Sequence, residues 1–114
     1  MKYFFLSFFF IFGIVITLNA GCESPLSEAE FQNELTKIKS FTFDEAKKTA
    51  IESLFKKCLT SNQIKGLLQE LSFEEDKLAL AKKAIKIVSD PENFKIIKLI
   101  FEFEESKKAI DTLD

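Results

Sequence analysis

One segment of this chain returns every 30 residues, and that recurrence constrains the fold more than any other feature. Phe41-Thr42-Phe43-Asp44-Glu45-Ala46-Lys47 comes back as Leu71-Ser72-Phe73-Glu74-Glu75-Asp76-Lys77, then as Phe101-Glu102-Phe103-Glu104-Glu105-Ser106-Lys107. Positions between the motifs keep the same step: Leu54 with Ala84, Cys58 with Val88, Ile64 with Phe94, Leu67 with Ile97. A fixed period in this range marks a repeat architecture, in which each supersecondary unit buries its apolar face only against its neighbours. The expectation is an all-α stack of about six helices built from helix-pair repeats, preceded by an N-terminal signal segment.

Breakers are scarce, which favours helices joined by short turns over strands. Gly66 is the only glycine after residue 21 and Pro91 the only proline after residue 25. Helix starts are marked by capping boxes, in which an N-cap hydroxyl and an acid or amide three residues on satisfy each other's backbone N–H groups. Ser27 with Glu30 and Thr60 with Gln63 fit, flanked by the staple pairs Leu26/Phe31 and Leu59/Ile64. Asp90-Pro91-Glu92-Asn93 is a third version, with Pro91 at the first helical position. Thr42 with Glu45 and Ser72 with Glu75 read the same way, placing Phe43, Phe73 and Phe103 at the first residue of their helices. The expected helices are 28–39, 43–58, 61–71, 73–88, 91–101 and 103–112. The fourth carries the widest apolar stripe and is expected to be the most enclosed.

The start of the chain reads as a targeting segment. Met1-Lys2 is basic, Tyr3 to Leu18 is almost wholly apolar, and Asn19-Ala20-Gly21-Cys22 leads into charged sequence. That is the layout of a secretory signal, and the apolar run is short for a membrane span, which needs roughly 20 residues. The expected organisation is a signal peptide at 1–20, a tether at 21–27 and the helical repeat domain at 28–114. Two processing routes stay open. Cleavage after Ala20 leaves an ordinary secreted protein; cleavage before Cys22, as in a bacterial lipobox, makes Cys22 the lipidated N-terminus. Cys22 and Cys58 are the only cysteines, so lipidation of Cys22 would leave Cys58 a free thiol. Cys58 aligns with Val88, so it reads as a small core residue or as a disulfide partner, which export would allow.

Composition closes several functional classes. There are 16 basic against 18 acidic side chains, and every basic one is lysine. Nucleic-acid binding calls for a clear basic excess. Without arginine, bidentate clamps on phosphate or carboxylate are absent, and without histidine the usual activator of a serine is missing. No glycine-rich phosphate loop occurs. The acids Asp44-Glu45, Glu74-Glu75-Asp76 and Glu104-Glu105 open helices, where capping and the helix dipole explain them better than a catalytic pair or a metal site. Paired lysines (Lys47-Lys48, Lys56-Lys57, Lys82-Lys83, Lys107-Lys108) read as solvated helix faces with i, i+4 partners such as Glu52 with Lys56, rather than as an anionic-lipid surface. No cofactor and no metal is expected.

Phe73, Lys77, Leu78, Leu80, Ala81, Lys82, Asp90, Asn93, Phe94, Phe101, Phe103 and Ser106, with Thr60 and Gln63 earlier in the chain, form a pattern that resembles a bacterial domain-of-unknown-function family, number 4476; the likeness covers roughly residues 30–113 and is most specific over 73–106. Members commonly follow an export signal. The resemblance implies an exported helical domain and transfers no catalytic residue. The C-terminus departs from the family, whose members often end on an aromatic-apolar pair where this chain has Asp111-Thr112-Leu113-Asp114.

The functional expectation is an exported, non-catalytic interaction or structural module of the bacterial cell envelope: periplasmic, secreted or an outer-membrane lipoprotein. Its partner would be a protein or peptide, and membrane contact would come only through the signal segment or a lipid on Cys22. The alternative is a weak hydrolase or catalytic accessory using Ser and Lys. Phe41, Phe43, Leu71, Phe73, Phe101 and Phe103 are the candidate structural or partner-binding positions. Their first reading is core and staple, with Leu71 and Phe73 packing against Phe43, Phe101 or Phe103 of neighbouring repeats.

Overall fold

The computed structural model describes residues 24–113; the segment 1–20, expected to be a signal peptide, and Cys22 lie outside the described residues. Helix α1 (Glu28–Lys39) begins where the backbone N–H of Ser27 donates to Glu30 Oε1 and that of Glu30 to Ser27 Oγ, both at 3.1 Å, the reciprocal box expected from the sequence. Helices α2 (Asp44–Leu54), α3 (Ser61–Leu68), α4 (Glu74–Ala84) and α5 (Glu104–Asp111) follow, with a 3₁₀ helix (Pro91–Ile100) between α4 and α5. Thr60 and Gln63 form the box of α3 at 3.1 and 3.0 Å.

Helices pack within each pair and on their counterparts one repeat away. Helix α1 lies on α2, α3 on α4, and the 3₁₀ helix on α5. Across repeats, α1, α3 and the 3₁₀ helix form one layer, and α2, α4 and α5 the other. The result is the stack of helix pairs that the period implies. Its register is written in the polar contacts. Lys39 to Glu70, Lys83 to Glu52, Ser72 to Asp44 and Ser61 to Asp90 all join residues 28 to 31 apart. Two lysines make the same bond one period apart: Lys47 donates to the carbonyl of Glu70 and Lys77 to that of Ile100, both at 3.3 Å. Each reaches the C-terminal end of an opposite-layer helix, where unpaired carbonyls attract a cation.

The connections between repeats run alongside one another. Leu26 donates to the carbonyl of Cys58 and Ser89 to that of Leu59, at 2.9 and 2.8 Å. Leu59 and Val88 form an isolated parallel bridge, and the described residues contain no named strand.

Helix α3 is the most enclosed element, with Ser61, Gln63, Ile64, Leu67 and Leu68 all buried. This corrects the expectation that the fourth helix holds that place: α3 touches α1, α4 and the 3₁₀ helix, whereas the outer flank of α4 carries exposed Lys82 and Lys83. Gly66 lets α1 come close, since a Cβ there would meet the Phe31 ring at 3.2 Å. The buried polar groups are satisfied. Gln63 Nε2 donates to the carbonyl of Leu26, and Ser61 Oγ to that of Asp90.

Several helices are shorter than the sequence predicts. Helix α2 stops at Leu54 rather than 58 and α4 at Ala84 rather than 88, leaving 55–58 and 85–88 to the paired connections. The stretch 91–100 is a 3₁₀ helix, and its inward residues keep that helix's three-residue step: Phe94 and Ile97 are buried and Ile100 is partly so. Pro91 holds the first position as expected, but Asp90 makes no cap bond to its own helix. Its carboxylate accepts the backbone N–H of Ser61 at 2.7 Å, thereby capping α3 from the neighbouring repeat. Among the described residues no helix is long and apolar enough to cross a membrane.

Candidate functional site

The N-terminal ends of α2, α4 and α5 lie side by side, because the first acid of α2 and that of α4 each reach the chain entering the next helix of the layer. Asp44 opens α2 and accepts the backbone N–H of Ser72 at 2.8 Å and its hydroxyl at 3.3 Å. Glu74, its counterpart in α4, accepts the backbone N–H of Glu102, that of Phe103 at 3.3 Å, and the Ser106 hydroxyl at 2.8 Å. Burial pushes the Glu74 carboxyl upward. The N–H of Glu102, the Ser106 hydroxyl, the N–H of Phe103 and nearby Lys77 outweigh that and hold it below the usual carboxylate range. Asp90 is likewise held low, its burial outweighed by donors on Asn93 and Ser61.

These contacts decide where the aromatic residues go. Because the acid is the first helical residue, the phenylalanine before it becomes the N-cap, in extended conformation and with no side-chain cap bond. The capping boxes expected at Thr42/Glu45 and Ser72/Glu75 therefore do not form. Phe43, Phe73 and Phe103 stand off the helix cylinders and are 74%, 61% and 62% exposed. That corrects their assignment to core and staple, and with it the expected burial of Phe73 against Phe43, Phe101 or Phe103 of neighbouring repeats. The other half of each motif behaves differently: Leu71 and Phe101 are 3% exposed and belong to the core, while Phe41, beside the terminal repeat, is 40% exposed. Three phenylalanines at one position of successive repeats thus line one edge of the α2–α4–α5 layer.

Between α4 and α5 this edge holds an open pocket of about 280 Å³, lined by Glu74, Glu75, Leu78, Phe103, Glu105 and Ser106. The junction one repeat earlier has Asp44, Glu45, Lys48, Phe73, Glu75 and Asp76 at the same positions. There Lys48 bridges Glu45 at 3.1 Å and Asp76 at 3.2 Å. Its ammonium is held above the usual lysine range by those hydrogen bonds, first Glu45 and then Asp76.

Glu52 pairs with Lys83 of the next repeat, not with Lys56 of its own helix. Among the described residues no three acidic or cysteine side chains gather as metal ligands. The hydroxyls of Ser40, Ser53 and Ser61 donate to backbone carbonyls, and those of Ser72 and Ser106 to carboxylates. Cys58 is half-buried and disulfide-bonded, not a free thiol. A signal for the exposed row was present in the sequence: the acid that follows the second aromatic in every copy of the motif.

No curated protein and no solved structure matches this chain. A family model does, that of a domain of unknown function, DUF4476, and it spans residues 25–113, the whole helical stack from the turn before α1 to the end of α5. The chain belongs to the DUF4476 family.

Proposed function

We propose that the chain is an exported, non-catalytic interaction module of the bacterial cell envelope, working through the edge formed by Phe43, Phe73 and Phe103. The observation that carries this reading is the exposure of those three side chains at equivalent places in successive repeats. Burying a large apolar side chain gains about 1.5–3 kcal/mol, so a row of them left in water is a standing gain for any partner that covers it. Rows of exposed apolar groups rimmed by polar ones are typical of protein-interaction surfaces. Short helical stacks present such extended surfaces readily. Export is supported by the signal-like layout of residues 1–20 and by the disulfide at Cys58, since such bonds persist in oxidising compartments. That disulfide favours ordinary signal cleavage over lipidation of Cys22, because lipidation would leave Cys58 as the chain's one thiol.

Photo-crosslinking in a bacterium that carries the protein tests this reading. A benzophenone side chain placed at position 43, 73 or 103 should give one discrete adduct in the envelope fraction. The same group at exposed Lys82, on the other flank of α4, should give none. Cytoplasmic protein, or equal adducts from position 82, would count against the proposal.

A further inference from the structure

The two junctions along the aromatic edge hold equivalent places in successive repeats, and their side chains differ in charge. At the α2–α4 junction the protein supplies its own cation: Lys48 lies between Glu45 and Asp76. At the α4–α5 junction the residue in the place of Lys48 is Leu78, and none of the pocket's lining residues is basic. Glu75 and Glu105, the counterparts of Glu45 and Glu75, remain on the rim and make no ion pair among the described residues, while Glu74 is engaged by Glu102, Phe103 and Ser106. Lys77 is turned away to the carbonyl of Ile100. The second junction thus keeps Glu75 in the place of Glu45, has Ser106 where the first has Asp76, and presents two unpaired rim acids, Glu75 and Glu105, over an apolar floor, Leu78, beside the exposed ring of Phe103, with no internal cation.

We propose that the α4–α5 pocket receives a lysine or arginine side chain from a peptide segment of a partner protein, whose neighbouring apolar residues lie along the phenylalanine row. This deepens the interaction reading given above and rests on it. An ammonium or guanidinium would sit between Glu75 and Glu105. Its aliphatic stem would cover Leu78, and its charge would lie against the face of Phe103, a favourable cation–π arrangement. Net negative charge at the pocket disfavours anionic lipid and acidic peptides by the same electrostatics.

The test uses the mature protein and three short fluorescent peptides: alternating lysine and leucine, the same with glutamate for lysine, and the same with serine for leucine. The lysine–leucine peptide should bind about tenfold tighter than either control, the scale set by one charge contact and one aromatic contact, and should weaken as salt rises. Leu78→Lys, which installs the internal cation of the first junction, should weaken binding by about tenfold, and so should Glu75→Gln combined with Glu105→Gln. Leu78→Met controls for packing and should bind as wild type. Circular dichroism should show each variant folded. Equal affinity for the glutamate peptide, or unchanged binding by Leu78→Lys, would overturn the proposal. So would tighter binding to phosphatidylglycerol vesicles than to the peptide, or self-association abolished by Leu78→Lys, which would make a second copy the occupant. A crosslinked partner that is acidic where it meets position 103 would leave the interaction reading standing and remove this one.

Discussion

At the centre of the stack, Ile64, Leu67 and Leu68 of α3 and Ile97 of the 3₁₀ helix are wholly buried; at the edge, Phe43, Phe73 and Phe103 are mostly in water. Both regions are apolar and both recur with the same 30-residue step. They differ in what the backbone does at each position. Leu67 lies inside α3, which is packed between α1 and the 3₁₀ helix. Phe73 lies one residue before α4, because the acid after it is held at the helix start by bonds to the next repeat. Apolar character and periodicity mark both regions, and a one-residue shift in helix start separates core from surface.

Substitutions at the two regions should therefore differ widely. Leu67→Ala should cost about 2–5 kcal/mol by removing buried methyl groups and leaving a cavity, a large part of the roughly 5–15 kcal/mol available to a small domain. In urea its midpoint should fall with little change in slope. If Leu67→Ala proved nearly neutral, α3 would not be the centre of the core.

Next in size is Glu74→Ala, which strips the acceptor from the N–H groups of Glu102 and Phe103 and from the Ser106 hydroxyl. It should cost about 1–3 kcal/mol, whereas Asp44→Ala, whose contacts are both to Ser72, should cost about 0.5–1.5 kcal/mol. Hydrogen exchange should rise first at the amides of Glu102 and Phe103. Uniform loss of protection across the chain would show that Glu74 does not act locally at the α4–α5 junction.

Acid sensitivity follows from the same bonds. Glu74 and Asp90 have folded-state values held below the ordinary carboxylate range. Their stabilisation is fully present above the unfolded value, about pH 4, and is lost as pH falls through the lowered folded values. Glu74→Gln lacks its share of that loss, so its stability should fall less steeply than that of wild type below about pH 4. Parallel curves for the two proteins would remove Glu74 from the account of acid unfolding.

What could be read from the residues follows from how local each determinant is. The bounds of α1 were legible because Ser27 and Glu30 settle its start within a single turn. The helix-pair stack was legible because the period sums many positions. The start of α4 was not, because Ser72 and Glu75 offered a plausible box, while the bonds that decide it come from Glu102, Phe103 and Ser106, some 30 residues on. The ends of α2 and α4 were hidden for a similar reason: 55–58 and 85–88 carry helical spacing but serve the connections that pair across repeats. The three-residue spacing of Phe94, Ile97 and Ile100 was visible, yet it suits an α-helix nearly as well until Asp90 is drawn away to Ser61. For the candidate site, the acidic starts and the phenylalanines were both in view; that they share a solvent-facing edge depends on the helix start and was not.

The most direct test of the division is within a single motif, by chemical denaturation of Phe101→Ala and Phe103→Ala side by side. Phe101 is 3% exposed and Phe103 62%. That division implies a loss of about 3–5 kcal/mol for Phe101→Ala and no more than about 0.5 kcal/mol for Phe103→Ala. Comparable losses in the two variants would contradict it and return Phe103 to the core.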